Sequence, residues 1–238
     1  VHYMSQESLI HYLDSALNSQ PQAYQQLGDD QPDMFGNKVT KQTALEVELN
    51  NIRVPREDIE MLIKQGEQFI ERDLAILDGS LKESSNKIQI PESIRKYARD
   101  IDKALENIRV CDPAVGSGAF PVGVMTEIVK ARSILYRIQN PGAEPSHYDF
   151  KNHAIHHCLY GVDIDASAVE ICKLRLWLSL VVDEQRIDVI EPLPNLDYKI
   201  VKGNSLIGMP DGVAFDDKLR TEINKLMEKY YVETDKNL

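Results

Sequence analysis

Cysteine is scarce in this chain of 238 residues: there are three, Cys111, Cys158 and Cys172, and no Cys-x-x-Cys pair. An odd, scattered set makes neither a disulfide framework nor a zinc site, and a reducing cytoplasm is the simplest compartment. No run of roughly 18 apolar residues occurs, so no membrane span is expected. The segment from Val1 to Leu17 lacks the basic start and continuous apolar stretch of a secretory signal. Positive charge is also in deficit, with Lys+Arg 27 against Asp+Glu 38 and a net charge of −11. A chain this acidic is poorly suited to gripping phosphate backbones over much of its surface. That disfavours a self-sufficient nucleic-acid clamp and leaves room only for a local basic patch. Hydrophobic residues at 42% supply enough apolar material for a core and argue against wholesale disorder. The length suggests one to two domains; there is no internal repeat and no low-complexity tract.

The first 107 residues read as mainly helical. Met4, Leu9, Ile10, Leu13 and Leu17 fall at helical spacing, and Ser19-Gln20-Pro21 ends that helix. Residues 20–43 are irregular. Pro55 suits the first position of a helix to about Leu77, whose stripe is Ile59, Leu62, Ile63, Phe69, Ile70, Leu74 and Leu77. After a polar loop over 80–90, Pro91 starts another helix to about Asn107. From 108 the pattern changes. Strands are expected at Ile108–Cys111, His157–Asp163 and Lys199–Gly203, with helices at Ala119–Ile138 and Ala166–Val182 between them. A short helix over 150–157, a connection over 188–197 and a last helix over 216–231 complete the reading. Alternating strands and helices imply an α/β fold: a parallel sheet in three layers, with helices on its faces. Ligands of such sheets sit at the carboxyl ends of the strands, where 112–118, 163–165 and 203–206 fall.

Each of those ends carries a chemical preference. Asp112 to Gly118, Asp-Pro-Ala-Val-Gly-Ser-Gly, is a glycine-rich turn that opens a helix, so backbone N–H groups face an anionic group. The third glycine of the dinucleotide fingerprint is missing and an acid leads the loop. Asp112 repels a pyrophosphate and welcomes a cation such as an α-ammonium, so a zwitterionic amino acid group fits. No Gly-Lys-Ser/Thr follows, which excludes a Walker-type phosphate loop. Asp163 ends the second strand, where a carboxylate accepts hydrogen bonds from ribose hydroxyls. It lies further from the loop than the usual ~20 residues, because 137–153 read as an insertion. Asp165 suits a helix cap. Asn204, in Gly203-Asn204-Ser205-Leu206, offers a donor and an acceptor to an adenine edge. Amino acid, ribose and adenine together describe S-adenosylmethionine.

Other residues invite weaker readings. His153, His156, His157 and Cys158 suggest a metal, but a third ligand is not evident, and a polar segment before a strand is the plainer reading. Trp177 sits in a helix so apolar that packing against the sheet is expected rather than base stacking. Ser117 lacks the Gly-x-Ser-x-Gly elbow of a nucleophile.

Val110 to Phe120 resembles motif I of the DNA adenine-N6 methyltransferases, in the form Asp-Pro-Ala-x-Gly-Ser-Gly-x-Phe. Tyr160 to Asp165 is similar to their motif II, and Gly203 to Leu206 to motif III, where many members carry Asp in place of Asn204. The helix from His2 onward looks like the one following the Tyr-Thr-Pro segment of motif X. The resemblance is to the large restriction–modification methylases of the Eco57I type, some fused to endonucleases, and covers 1–19 and about 105–215. It implies that Asp112, Pro113, Ala114 and Gly116 surround the methionine part within the loop closed by Gly118. Asp163 would hold the ribose, Ile164 pack on the adenine ring and Asn204 meet its edge. It also implies a class I methyltransferase sheet over 108–238, preceded by the helical region 1–107.

The family's catalytic motif, Asn/Asp-Pro-Pro-Tyr/Phe, is missing: no Pro-Pro pair occurs in the chain. Asn140-Pro141-Gly142 precedes the second strand and reads as a turn. The expectation is therefore the cofactor-binding portion of a larger type II enzyme that methylates adenine N6 in double-stranded DNA. It would be cut before the catalytic strand, be inactive alone, and rely on target-recognition surfaces elsewhere. Two alternatives stay open on the residues: a class I methyltransferase acting on RNA, protein or a small molecule, and a non-catalytic helical interaction module.

Overall fold

The computed structural model describes residues 1–18, 53–77, 90–182 and 196–207, with the isolated positions 221, 222, 225 and 226. The expected irregular stretch 20–43, the polar loop and the connection before Leu196 lie wholly or largely outside the described residues. So does most of the last expected helix. In chain order the elements are α1 (His2–Asn18), α2 (Arg56–Leu77), α3 (Glu92–Lys96), α4 (Ala98–Asn107), β1 (Val110–Asp112), α5 (Ala119–Gln139), α6 (His147–His153), β2 (Leu159–Asp163), α7 (Ala166–Val181) and β3 (Ile200–Lys202). The structure is thus mostly helical around a small parallel sheet. Among the described residues no helix is long and apolar enough to cross a membrane.

The sheet order is β1-β2-β3, with both pairings parallel. Asp112 pairs with Gly161, and Asp163 with Lys202, so the carboxyl ends of all three strands gather at one end of the sheet. Each crossover carries a helix, α5 and then α7, as parallel neighbours require.

α5 is the centre of the packing. It touches α1, α2, α4, α6, α7, β1 and β2, and it buries Val124, Met125, Ile128, Val129, Ala131, Ile134 and Leu135. A helix apolar over so much of its circumference is covered on nearly all sides. α1 presents Leu9, Ile10, Leu13 and Leu17 to this core, each at most 1% exposed. Met4, expected in the same stripe, is exposed, as is Tyr3, because the first turn meets α5 through Val1, His2 and Ser5 instead. α2 buries Ile59, Leu62, Ile63 and Phe69. The cluster runs without a break from these helices to Leu159 and Ile200 of the sheet. Asn18 closes α1 onto the start of α2: its side chain donates to the Val54 carbonyl at 2.6 Å and accepts from the Val54 N–H at 2.9 Å.

The expected helix from Pro91 to Asn107 is two helices. Tyr97 between them has φ −106° and ψ 19°, in the sparsely populated bridge region. No glycine or proline marks the break, so it carries no local signal. The segment before β2, expected to be an insertion, holds a short helix: Ser146 caps α6 by accepting from the Asp149 N–H at 3.1 Å. A π-helical turn over Ala154–Cys158 then leads into the strand, where a helix running straight on to the strand was expected. α7 buries Val169, Cys172, Leu176 and Leu180, whereas Ile171, Leu174 and Leu178 are about half exposed. Packing against the sheet therefore takes one face only, and Trp177 is half-buried.

A polar knot sits inside the helical layer. Arg132, 5% exposed, donates to Asp102 at 2.8 Å, lies 3.4 Å from Glu106 and covers the Phe150 ring. His153 lies 3.4 Å from the same guanidinium and its ring tilts against His157. Among the described residues no three His, Cys, Asp or Glu side chains group as metal ligands. Burial, and then the Arg132 charge, push the His153 imidazole down to about 4. In the unfolded chain this histidine takes up a proton near pH ~6.5. The folded state thus binds fewer protons between the two values, and stability falls as pH drops through that window. Denaturant midpoints measured across it should fall less steeply in His153→Gln than in the native chain.

Gly118 brings α5 and α7 together. Its φ is +83°, and an added Cβ would lie 2.7 Å from Cys172 Sγ and 3.2 Å from Cys172 Cα. A side chain there meets both a left-handed backbone and a buried neighbour. Gly118→Ala should cost about 3 kcal/mol of unfolding free energy in urea titration.

Candidate cofactor site at the strand ends

The loop from Asp112 to Gly118 is fastened by turns of its own and by bonds to the neighbouring strand ends. Asp112 accepts from the Ala114 N–H at 3.0 Å, a turn closed by its own side chain. The Val115 N–H donates to the Val162 carbonyl at 2.9 Å, which hooks the loop over β2. The Gly116 N–H donates to Asp163 Oδ2 at 2.7 Å. The Gly118 N–H donates back to the Val115 carbonyl at 2.9 Å. Gly116 has φ +52° with nothing within 4 Å of where a Cβ would sit. Glycine is required there by the backbone, and the space beside it is open to a ligand.

Packing beneath the loop is tight by contrast. Val115 is 4% exposed and rests on Gly161, where an added Cβ would stand 2.7 Å from Val115 Cγ2. Gly161 was not singled out from the sequence, although a glycine inside a strand is the usual sign of such an approach. Cys172 was also missed as a site element; burial pushes its thiol up to about 11, so it stays protonated and serves as filler beneath Gly118.

Asp163 carries two duties. Its Oδ1 accepts from the Asp165 N–H at 3.0 Å while Oδ2 holds Gly116. These backbone donors, Asp165 first and then Gly116, keep the carboxyl below the usual carboxylate range. Each oxygen has a further lone pair, so acceptor capacity remains. Asp165 caps α7 by accepting from the Ser167 N–H at 2.8 Å, as its position predicts. Ile164 between them is 68% exposed, an apolar side chain standing at the mouth.

The third strand end joins the others. The Gly203 N–H donates to the Asp163 carbonyl at 2.8 Å. Ser205 Oγ donates to the Pro113 carbonyl at 2.6 Å, which ties this end to the loop. Ser205 was not predicted; a serine in a turn gives no signal until its partner is known. Asn204 is exposed and accepts from the Leu206 N–H at 3.0 Å. Asp112, Pro113, Ala114, Gly116, Asp163, Ile164 and Asn204 are thus brought to one end of the sheet. Gly118 lies behind the loop, buried against α7. A cation is the charge this place favours, since Asp112, Asp163 and Asp165 stand together there. The start of α5 behind the loop adds a weaker positive end for an anionic group.

The chain resembles two restriction–modification proteins. One, from Methanocaldococcus jannaschii, carries the name of a type II restriction enzyme and methyltransferase, RM.MjaORFECS2P; it is 38% identical over 142 residues, which is 58% of this chain and 12% of that protein. The other, the type II restriction enzyme and methyltransferase RM.Eco57I of Escherichia coli, is 29% identical over 168 residues, 65% of this chain and 16% of that protein. The chain therefore spans less than a fifth of either relative. No solved structure matches it. Residues 157–238, from the lead-in to β2 through β3 and beyond, match the family model of the Eco57I restriction-modification methylase.

Proposed function

We propose that residues 108–238 are the S-adenosylmethionine-binding part of a class I DNA methyltransferase domain, preceded by the mainly helical region 1–107, within a cytoplasmic type II restriction–modification enzyme. The observation that carries this reading is the clasp between Gly116 and Asp163, which sets an open glycine backbone beside a carboxylate held in its charged form. The residues fit the group. Asp112 and the loop carbonyls suit the ammonium of the amino acid part, the open backbone at Gly116 its close approach, and the start of α5 its carboxylate. Asp163 has lone pairs left for ribose hydroxyls, Ile164 offers an exposed apolar surface to the adenine ring, and Asn204 can pair with its edge. When bound, S-adenosylmethionine supplies an electrophilic methyl on a sulfonium.

The chain's own contribution is orientation. The clasped loop holds its backbone in one geometry before any ligand arrives, so less ordering remains to be done on binding. The acidic strand ends reject a diphosphate and favour a cationic centre. The acceptor of the target amine's protons is not supplied here, because no Pro-Pro pair occurs. We assign that role to the rest of the enzyme, with adenine N6 of a flipped base in double-stranded DNA as the substrate, and target recognition or a fused endonuclease to other segments. Cys111, in the middle of β1, is exposed. Parallel sheets are ordinarily covered on both faces, and an open β1 agrees with a domain completed by further elements.

S-adenosylhomocysteine titrated calorimetrically into the 238-residue chain should bind weakly, and Asp163→Ala should abolish the signal. The chain alone should transfer no methyl to duplex DNA. Unchanged binding in Asp163→Ala, or preferential binding of a dinucleotide, would overturn the assignment.

A further inference from the structure

A second concave site lies far from the strand ends, where α2, α5 and α6 meet. It is a cavity of about 370 Å³, within the range of small-molecule sites. Its floor is apolar, from Ile70, Val129 and Ile134, and its walls carry Lys130, Arg137 and Lys151 against the single carboxylate of Glu67. That excess of positive charge stands out in a chain of net charge −11. Each cation already has an anchor: Lys130 pairs with Glu67 at 3.2 Å, Arg137 with Glu144, and Lys151 donates to the Ser179 carbonyl at 2.9 Å. These contacts hold the cations in place around the cavity, and the exposed pairs are screened by water, so the groups can still face an anion.

The second observation is Ser133. It lines the same cavity, is 7% exposed, and its hydroxyl has no hydrogen-bond partner among the described residues. A helical serine ordinarily bonds to the carbonyl four residues back, and a buried hydroxyl left without a partner costs stability. The site is separate from the loop: Ser133 is 15 residues beyond Gly118 on one helix, about 22 Å along its axis.

We propose that this cavity binds a small organic phosphate, its apolar body on Ile70, Val129 and Ile134, its phosphate facing Lys130, Arg137 and Lys151, and one oxygen meeting the Ser133 hydroxyl. The concave apolar floor favours a free small molecule over the backbone of a duplex, which would lie across a surface and has no apolar body to bury. The site owes nothing to the methyl donor and stands or falls independently of it.

The probe is phenyl phosphate, titrated into the full chain and followed by amide resonances of α5 and α6. Saturable shifts around Ser133 are expected. Ser133→Ala, which removes an unpartnered group and should leave the fold at least as stable, should weaken binding about fivefold. Lys130→Gln should weaken it by a similar factor, and S-adenosylhomocysteine should not compete. Absence of saturable binding to the native chain would overturn the proposal, as would undiminished, native affinity in both variants. Equal binding of inorganic phosphate would overturn the role of the apolar floor, and displacement by a short duplex would reassign the site to backbone phosphate.

Discussion

The arrangement at the strand ends depends on one carboxylate. Asp163 takes the Gly116 N–H on one oxygen and the Asp165 N–H on the other. A loop rich in glycine has many conformations to lose, and a hydrogen bond to a charged acceptor is the stronger kind. The same two donors keep the carboxyl ionised, so the clasp and the negative charge of the site have one cause. Moving this acid to a neighbouring position would loosen the loop and remove the charge together.

The glycines follow from that clasp. Once Gly116 is drawn to Asp163 and Val115 to the Val162 carbonyl, the loop must lie on β2, and Gly161 is the position where it lands. Gly118 then turns the chain into α5 through a left-handed backbone, with α7 close behind. Three glycines thus have three duties: Gly116 leaves open space for a ligand, Gly161 admits Val115 beneath, and Gly118 admits Cys172 behind. Only the first faces outward. Gly116 and Gly118 stand two apart in one short loop, which hides this difference and is why the loop read as one ligand-facing unit.

Much of the fold was legible because the strands end in residues with little other use there. Asp112, Asp163 and Asn204 each close a short apolar run and precede a helix or turn, so the parallel order and the common end could be read from the pattern. The boundaries of α5 and α7 were near their observed places because Gly118 and Asp165 are strong local signals. The break at Tyr97 and the π-helical turn before β2 were not legible, since neither segment contains a glycine or proline to mark it. Ser205 and Cys172 act through partners 92 and 54 positions away, counting from Pro113 and Gly118 respectively. No periodicity or motif reports a contact at that separation. The cavity beside Ser133 was hidden for the same reason, for it needs three helices to exist.

α5 has its open loop at one end and its basic cavity towards the other, and the helix dipole offers a plain account of such an arrangement. Its positive end would offset the acids of the loop, and its negative end would attract cations, each worth about 0.3–1 kcal/mol. That account covers Arg137, the one basic residue in the last turn of α5. It does not cover Lys130, two turns earlier, because the effect fades beyond the last turn. It covers Lys151 no better, since that residue belongs to another helix. Nor does it bear on Ser133, a neutral hydroxyl on which a dipole has little hold. What remains after the dipole is subtracted is a pair of lysines and an unanswered hydroxyl around one apolar floor, an arrangement that helix stability alone gives no reason to keep.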